Sequence, residues 1–209
     1  MEKFISLKAI AAPLIRANID TDVIIPSREM KGVSKTGLSV GMFANWRYTD
    51  PPKRVEDPAF VLNRDPYRTA KILLAGSNFG CGSSREHAVW AMKEWGFRAV
   101  IAPSFGAIYY GNCVMNGILP VVLPEGAVQS ISAWVEAAPE ANQVAIDLTS
   151  QTVTAADATH NFSIGESDKL MLLEGLDPIG VTLKKDADIV AFEARDRARR
   201  PWVYAIGRA

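Results

Sequence analysis

The sequence has few residues that could hold a metal or form a disulfide, with only two cysteines and two histidines among 209 residues. Cys81 and Cys113 lie far apart and form no CxxC pair, so we expect no disulfide framework. A structural zinc site or an iron–sulfur cluster needs three or four well-spaced ligands. We therefore expect this chain to bind no metal by itself.

An excess of charge of one sign and long apolar runs are also missing. Lys plus Arg and Asp plus Glu both total 23, whereas a nucleic-acid-binding domain usually carries a basic excess. The one basic cluster, "RDRARR" (195–200), falls on a polar C-terminal helix expected at about 186–200. We interpret it as a solvated helix face. No apolar run approaches the roughly 18 residues of a membrane-spanning helix.

The composition predicts a globular protein of the cytoplasm. Hydrophobic residues make up 48% and charged residues 22%, which is typical of globular domains. The N-terminal segment "MEKFISLKAIAAPLI" shows no signal-type apolar region with a cleavage pattern. We expect one domain over residues 1–209, with no membrane and no nucleic acid among its partners.

Buried strands alternate with helices in the middle of the chain. The predicted strands are "KILLAG", "RAVIAP" and "ILPVVLP". The predicted helices are "SREHAVWAMKEWGF", ended by Gly96, "SFGAIYYGNCVMNG", started by Ser104 and closed by Gly117, and "EGAVQSISAWVEAA". Continuous apolar strands between helices predict a parallel sheet with helices packed on it.

The two ends of this alternating region have a different pattern. An earlier apolar segment, "FISLKAIAAPL", predicts one strand that ends near Pro13. After residue 142, "QVAIDLTSQTVTAADATHNFSI" predicts antiparallel strands with tight turns. The fold class is therefore α/β with a small antiparallel β extension.

The segment "GSNFGCGSSREHAVWAMKEWGF" (76–97) joins the strand "KILLAG" to its helix. Ligands of parallel α/β sheets bind at this edge, and a helix N-terminus with free N–H groups suits an anion. Glycines permit tight turns and close approach of a ligand, and arginine offers a planar fork suited to a carboxylate. The spacing excludes a Walker P-loop, a GxGxxG fingerprint and a GxSxG elbow. The residues concerned are Gly76, Gly80, Gly82, Ser83, Ser84 and Arg85.

A capping box is the structural interpretation of the same segment. Ser83 and Glu86 form S-x-x-E, in which the serine accepts from a backbone N–H and the glutamate reaches back. A capping box alone does not need three glycines, a second serine and an arginine. We interpret His87 as a partly buried helix residue and Cys81 as a lining residue, with a reactive thiol as the alternative.

Five segments carry a resemblance to a known family: "NIDTDVIIP" (18–26), "NFGCGSSREHA" (78–88), "APSFGAIYYGN" (102–112), "NGILPV" (116–121) and "GLDPIGVTL" (175–183). In this order they resemble the small subunit of 3-isopropylmalate dehydratase, which is related to the swivelling domain of aconitases. The resemblance runs over most of the chain, and the central motif is long and specific. It implies a three-layer swivelling β/β/α domain with a largely parallel central sheet.

The resemblance also implies a partner and a reaction. In this family a large subunit holds a 4Fe–4S cluster, over which the small subunit then closes, and this agrees with the low cysteine count. The implied reaction is loss and re-addition of water between 2-isopropylmalate, isopropylmaleate and 3-isopropylmalate, in leucine biosynthesis. The cluster acts as a Lewis acid on the hydroxyl group of this small hydroxy-dicarboxylate.

Individual residues receive roles from the same resemblance. Ser83 would be the base, with its alkoxide stabilised by a helix N-terminus, by backbone N–H groups and by Arg85. Ser84 would donate to the substrate or take part in the cap, and Arg85 would bind a substrate carboxylate. Asp22 matches an aspartate that supports the site in the aconitase domain, and the alternative for it is a turn-forming Asx motif.

Residues 27–37, "SREMKGVSKTG", are polar and are predicted to form an exposed, mobile loop. The resemblance implies that this loop helps to set substrate choice. Arg28, Met30 and Lys31 are therefore candidates for contact with the variable arm of the substrate.

The chain departs from the family pattern in two places. Lys35 stands where many relatives have arginine, and the segment before "GLDPIG" has Lys169 as its only cation. Three alternatives therefore stay open: a subunit of a citraconate or methylmalate hydratase, a non-catalytic anion-binding module, and a self-sufficient serine or cysteine hydrolase. The hydrolase would need the fold to bring His160 close to its nucleophile.

Overall fold

The computed structural model describes residues 1–30 and 34–205. The chain forms two compact units, Met1–Gly175 and Leu176–Ala209. Within the described ranges, none of the helices is both long enough and apolar enough to cross a membrane. The expectation of a single swivelling domain over the whole chain stays a prediction.

The described residues form ten strands, all in the larger unit. In chain order they are β1 (Ser6–Ala9), β2 (Ala11–Leu14), β3 (Tyr48–Asp50), β4 (Val55–Glu56), β5 (Ile72–Ala75), β6 (Ala99–Ala102), β7 (Leu119–Val122), β8 (Val144–Asp147), β9 (Thr152–Ala155) and β10 (Ala158–Asn161).

Eight α-helices are found in the same ranges. They are α1 (Thr21–Ile24), α2 (Ala44–Arg47), α3 (His87–Trp95), α4 (Ala107–Asn116), α5 (Glu125–Ala137), α6 (Glu166–Glu174), α7 (Pro178–Leu183) and α8 (Asp186–Arg199). Short 3₁₀ turns occur at Ser27–Glu29, Ser39–Gly41, Val61–Asn63, Tyr67–Thr69 and Pro201–Tyr204.

A buried parallel sheet forms the core of the larger unit, in the order β2-β5-β6-β7. All residues of β2, β5 and β6 are buried, because helix α5 packs against these three strands and α4 packs against β7. Strands covered in this way read as continuous apolar runs. The predicted parallel sheet and its α/β class are therefore confirmed.

A second, antiparallel sheet has the order β1-β8-β9-β10. Strands β8 and β9 alternate buried and less buried residues, as expected for a sheet with one covered face. The predicted antiparallel extension is confirmed. A two-stranded ribbon of β3 and β4 completes the β-structure of the described residues.

The N-terminal apolar segment differs from the prediction of one strand. It divides at Ile10 into β1, which pairs with β8 in the antiparallel sheet, and β2, which pairs with β5 in the parallel sheet. Ser6 and Lys8 make the first half less apolar than the second, but which strand pairs with each half depends on contacts with distant segments. Residues Thr21–Ile24 form the helical turn α1, capped by the Asp20 carboxylate, which accepts from the Val23 N–H at 2.7 Å.

The helix ends agree with the sequence better than the helix starts. Helices α3 and α4 end at Gly96 and Gly117 in left-handed backbone conformation, as predicted. Helix α4, however, begins at Ala107 rather than at Ser104. The Ser104 hydroxyl accepts from the Asn78 N–H at 2.8 Å instead of capping the helix.

Candidate active site

Two loops meet at the carboxyl edge of the parallel sheet, one after β2 and one after β5. The Gly80 N–H donates to the Ile19 carbonyl at 2.7 Å, and the Thr21 N–H donates to the Cys81 carbonyl at 3.0 Å. These bonds continue the parallel pairing of the two strands into the loops. They bring the start of α1 beside the "GSSRE" segment, at the edge where parallel α/β sheets bind ligands.

The loop after β6 supports the same segment from the other side. The Phe79 N–H donates to the Ser104 carbonyl at 3.0 Å, and the Gly106 N–H donates to the Phe79 carbonyl at 2.9 Å. The loop after β5 is therefore held between two neighbouring loops by main-chain bonds.

Gly80 is the tightest point of this arrangement. Its φ of +71° lies in the left-handed region, and a Cβ at this position would overlap the buried ring of Tyr109. We expect Gly80→Ala to lower the free energy of unfolding by about 2–4 kcal/mol, through backbone strain and overpacking.

The matched control is Gly111→Ala, in the middle of α4, where a Cβ meets open space. It should raise the free energy of unfolding by about 0.5–1 kcal/mol. Urea denaturation of both variants measures the difference. Equal stability of the two variants would contradict the packing described for Gly80.

Ser83 and Ser84 are both exposed at the surface of the described chain. The main chain of Ser83 is nevertheless fixed. Its N–H donates to the Thr21 hydroxyl at 3.2 Å, and its carbonyl accepts from the same hydroxyl at 3.3 Å. Neither contact uses the Ser83 hydroxyl group, which is left available for other chemistry.

Asp22 and Arg85 form an ion pair beside these serines, through Oδ1 and Nη1. The Ser27 hydroxyl donates to the same Asp22 oxygen at 3.3 Å. The two side chains are 54% and 31% exposed, and a pair this exposed contributes little to folding stability. The Asx-type cap considered for Asp22 belongs to Asp20 instead.

The predicted capping box is wrong. Helix α3 begins at His87, four residues after Ser83, and Glu86 at its N-cap makes no side-chain cap bond. The Glu86 carboxylate accepts from the Asn116 amide at 2.7 Å, while the Ser83 N–H that it would have bound is taken by Thr21. Both partners of the box are therefore engaged elsewhere.

The candidate substrate loop begins with a 3₁₀ turn that contains Arg28. The Arg28 Nη2 donates to the Asn45 side-chain oxygen at 2.5 Å, and its Nε lies 3.3 Å from a Glu29 oxygen. Met30 follows this turn with an intermediate exposure. Lys31, the third candidate for this loop, lies outside the described residues.

Glu29 is a residue of this loop that the sequence did not single out. Its side chain is only 8% exposed and pairs with both Arg28 and Arg54. A carboxylate buried to this extent needs such partners. The described start of the loop is therefore anchored by charge rather than loosely exposed.

The far end of the loop is anchored to helix α3. The two oxygens of the Glu94 carboxylate accept from the Gly37 N–H at 2.6 Å and the Ser39 N–H at 2.7 Å. The Lys35 ammonium lies 4.6 Å from the centre of the Trp90 ring, and Trp90 in turn contacts His87. Helix α3 thus connects the described part of this loop to the "GSSRE" segment.

The Glu94 contacts predict a pH-dependent stability. Burial by itself raises the pKa of the Glu94 carboxyl, but the N–H groups of Ser39 and Gly37 outweigh it and hold the pKa below its usual range. A lowered carboxyl pKa stabilises the fold above the unfolded-state pKa, and this contribution is lost as the pH falls through the folded-state pKa.

We expect Glu94→Gln to be less stable than the parent chain at neutral pH, with the difference shrinking in acid below the usual carboxyl range. The control is Glu140→Gln at another exposed glutamate, which should show a smaller difference. Thermal unfolding at both pH values gives the comparison. A Glu94→Gln difference that does not change with pH would contradict the interpretation.

The remaining sequence candidates lie on other elements, and the Cys113 thiol is unreactive. Cys113 is buried, and burial raises the pKa of its thiol far above the usual range, so it stays protonated. His160 lies on β10, at the edge of the antiparallel sheet. The Lys169 ammonium donates to Thr149 and Gln151. Among residues 1–30 and 34–205, no three His, Cys, Asp or Glu residues are grouped to hold a metal ion.

Sequence reasoning missed Thr21, Glu29, Glu94 and Asn116, all of which hold the candidate site in place. The position of Thr21 between two aspartates in "DTD" was the only local signal for it. Glu94 and Asn116 contact residues that are distant in the sequence, and a single sequence does not show such contacts.

Comparisons with known proteins identify the family of the chain. The family model described as "Aconitase C-terminal domain" matches residues 1–126, which include both loops of the site. A second family model, for the C-terminal domain of the 3-isopropylmalate dehydratase small subunit, matches residues 179–206.

Curated relatives match over almost the full length of the chain. A 3-isopropylmalate dehydratase small subunit from Cupriavidus necator is 57% identical over 208 residues, with 99% of this chain and 100% of the relative covered. The protein of the same name from Roseobacter denitrificans is 48% identical over 204 residues, with 97% and 100% covered.

A solved structure shares the fold. The crystal structure of 3-isopropylmalate dehydratase (leuD) from Methanocaldococcus jannaschii aligns with a TM-score of 0.61 at 26% identity. The alignment covers 90% of this chain and 99% of that one. The full-length matches establish that the chain belongs to the family of 3-isopropylmalate dehydratase small subunits, which are aconitase-family hydro-lyases.

Proposed function

We propose that the chain supplies the catalytic base and a carboxylate-binding side chain to a large subunit in the cytoplasm. Together the two would isomerise 2-isopropylmalate to 3-isopropylmalate through isopropylmaleate, a step of leucine biosynthesis. One observation carries the proposal. An exposed Ser83 hydroxyl, on a main chain held by Thr21, lies beside the Asp22–Arg85 pair at the carboxyl edge of the sheet.

The Ser83 oxygen takes a proton from the substrate carbon next to a carboxylate. Such a proton is weakly acidic, so the base must be strong and accurately placed. A serine oxygen is a strong base only as an alkoxide, and positive charge lowers the free-energy cost of that state. Two sources of positive charge lie close to Ser83 in the chain. Arg85 is two residues after it, and the N-terminal end of α3 begins four residues after it.

Arg85 binds the carboxylate next to the reacting carbon. Negative charge spreads into that carboxylate as the proton leaves, so a charged donor stabilises the transition state more than the bound substrate. Asp22 engages Nη1 of the guanidinium. It thereby fixes the orientation of the fork and leaves its other N–H groups for the substrate.

The other half of the reaction needs a group that accepts the leaving hydroxyl. When bound in the large subunit, the 4Fe–4S cluster supplies that Lewis acidity. With two cysteines in the entire sequence, this chain alone has too few thiolates for such a cluster. The exposure of Ser83 and Ser84 suits a site that a second chain covers, and Ser84 would donate to the substrate there.

The loop that starts at Ser27 meets the variable arm of the substrate. Arg28 and Met30 lie on or next to its 3₁₀ turn, and the Ser27 hydroxyl contacts Asp22, so this turn adjoins the proposed carboxylate site. Arg28, Met30 and Lys31 therefore remain the proposed selectors of the substrate side chain.

Reconstitution with a cluster-bearing large subunit tests the proposal. The chain alone should show no turnover of 3-isopropylmalate, whereas the mixture should produce absorbance from the unsaturated intermediate. If the chain is purified from cells with no large subunit bound, and adding a large subunit produces no activity, a non-catalytic anion-binding module is favoured.

A substrate panel separates the proposal from the related hydratases. The reconstituted complex should turn over isopropylmalates with a higher kcat/KM than methylmalate or citraconate. Preference for the methyl-substituted diacids would keep the chemistry and change the substrate. Turnover of ester substrates by this chain alone would instead indicate a hydrolase.

A further inference from the structure

Thr21 is a buried polar residue that lies between the two aspartates of the "DTD" segment. It is 1% exposed and is the first residue of α1. Its hydroxyl accepts from the Ser83 N–H at 3.2 Å and donates to the Ser83 carbonyl at 3.3 Å. The Thr21 hydroxyl group thus bonds to both the N–H and the carbonyl of Ser83, a residue 62 positions later in the chain.

The surrounding backbone makes this double contact possible. The Thr21 N–H donates to the Cys81 carbonyl at 3.0 Å, which fixes the distance between the two segments. Gly82 has a φ of +93°, and a Cβ on it would lie 3.7 Å from the Thr21 hydroxyl oxygen and 3.4 Å from the Asp20 Cβ. Glycine at this position therefore lets the chain turn so that Ser83 faces the Thr21 hydroxyl.

We propose that Thr21 is the positioning residue of the base: its hydroxyl fixes the Ser83 main chain, and thereby the direction of the Cα–Cβ bond that carries the Ser83 hydroxyl. The inference rests on the proposed role of Ser83. Threonine suits this task because its β-branched side chain is stiff at χ1, and burial protects its two hydrogen bonds from competition by water. A serine on a loop without such a contact would sample several orientations.

Thr21 also acts against a second local conformation, together with the Asn116 amide that holds the Glu86 carboxylate. Without the Thr21 hydroxyl, the Ser83 N–H becomes available for the capping-box contact with Glu86 that the sequence favours. That contact would draw Ser83 into the start of α3 and away from the geometry in which its N–H points to Thr21. The buried threonine therefore competes against a helix-capping alternative encoded in the same segment.

The test compares Thr21→Val with Thr21→Ser in the complex with the large subunit. Valine keeps the branched shape and removes the hydroxyl, whereas serine keeps the hydroxyl. We expect Thr21→Val to lower kcat by about 10- to 10²-fold with little change in KM, as misplacement of a reacting group does. The kcat of Thr21→Ser should stay within about threefold of the parent value, because a difference this small does not indicate a misplaced reacting group. Equal losses in both variants, or a normal kcat for Thr21→Val, would overturn the inference.

A second measurement does not depend on the folding of a variant. In the full parent chain, the Ser83 amide should exchange with solvent more slowly than the amide of its exposed neighbour Ser84, because of its bond to Thr21. Exchange of Ser83 at the rate of Ser84 would contradict the contact.

The double variant separates failure of this inference from failure of the proposed function. In a Ser83→Ala background, Thr21→Val should cause no further loss, because both changes act on one group. If Ser83→Ala itself keeps normal turnover, the base assignment fails. If Ser83→Ala is impaired while Thr21→Val is normal, only the positioning role fails.

Discussion

Replacing Ser83 by alanine should lower kcat of the reconstituted complex by about 10²- to 10⁴-fold, the range contributed by a positioned acid–base group. The change removes a single exposed oxygen. The Thr21 contacts, which hold only the main chain of Ser83, are kept. We therefore expect the variant to fold, to bind the large subunit and to bind the substrate with a similar KM.

The matched control is Ser130→Ala on α5, another exposed serine, whose hydroxyl donates to the Gly126 carbonyl. Its turnover should equal that of the parent complex. Steady-state kinetics of both variants, together with their thermal unfolding, measures the effect. Near-normal turnover of Ser83→Ala would remove this serine from the mechanism.

Replacing Arg85 by lysine should lower kcat/KM by about 10- to 10²-fold, the worth of a hydrogen bond to a charged group. Lysine keeps the positive charge that faces Asp22 but cannot reproduce the planar fork that binds a carboxylate. The loss should appear in both KM and kcat, because the same carboxylate gains charge during proton removal.

Arg85→Lys also tests a purely structural role for the ion pair. If Arg85 only neutralised Asp22, lysine would serve nearly as well and turnover would stay close to normal. The matched control is Arg68→Lys, in which a similarly exposed arginine forms a two-point contact with Glu56 at 2.5 and 3.1 Å. This control should leave kcat/KM unchanged.

The sequence predicted the elements that are fixed by local chemistry. Strands β5, β6 and β7 read as continuous apolar runs because helices cover the sheet. Helices α3 and α4 end where glycine can adopt the left-handed conformation. The candidate loop was found for the same reason, since its glycines, serines and arginine are unusual for a simple helix start.

The features that the sequence did not predict depend on contacts between distant segments. The capping box failed because Thr21 and Asn116 take the two groups that would have formed it. The change of sheet at Ile10 depends on the pairing of each half with a distant strand, β8 for β1 and β5 for β2. Local propensity is a weak guide in both cases, since tertiary partners determine the outcome.

The central claim is that Ser83 removes the substrate proton inside a complex that a second chain completes. The most direct measurement follows 3-isopropylmalate that carries deuterium on the carbon bearing the isopropyl group. Mass spectrometry under single-turnover conditions, with the parent or the Ser83→Ala complex in excess over this substrate, reports the rate of deuterium loss. We predict loss in the parent complex and a rate lower by at least about 10²-fold in Ser83→Ala. Equal rates of deuterium loss in the two complexes would contradict the claim.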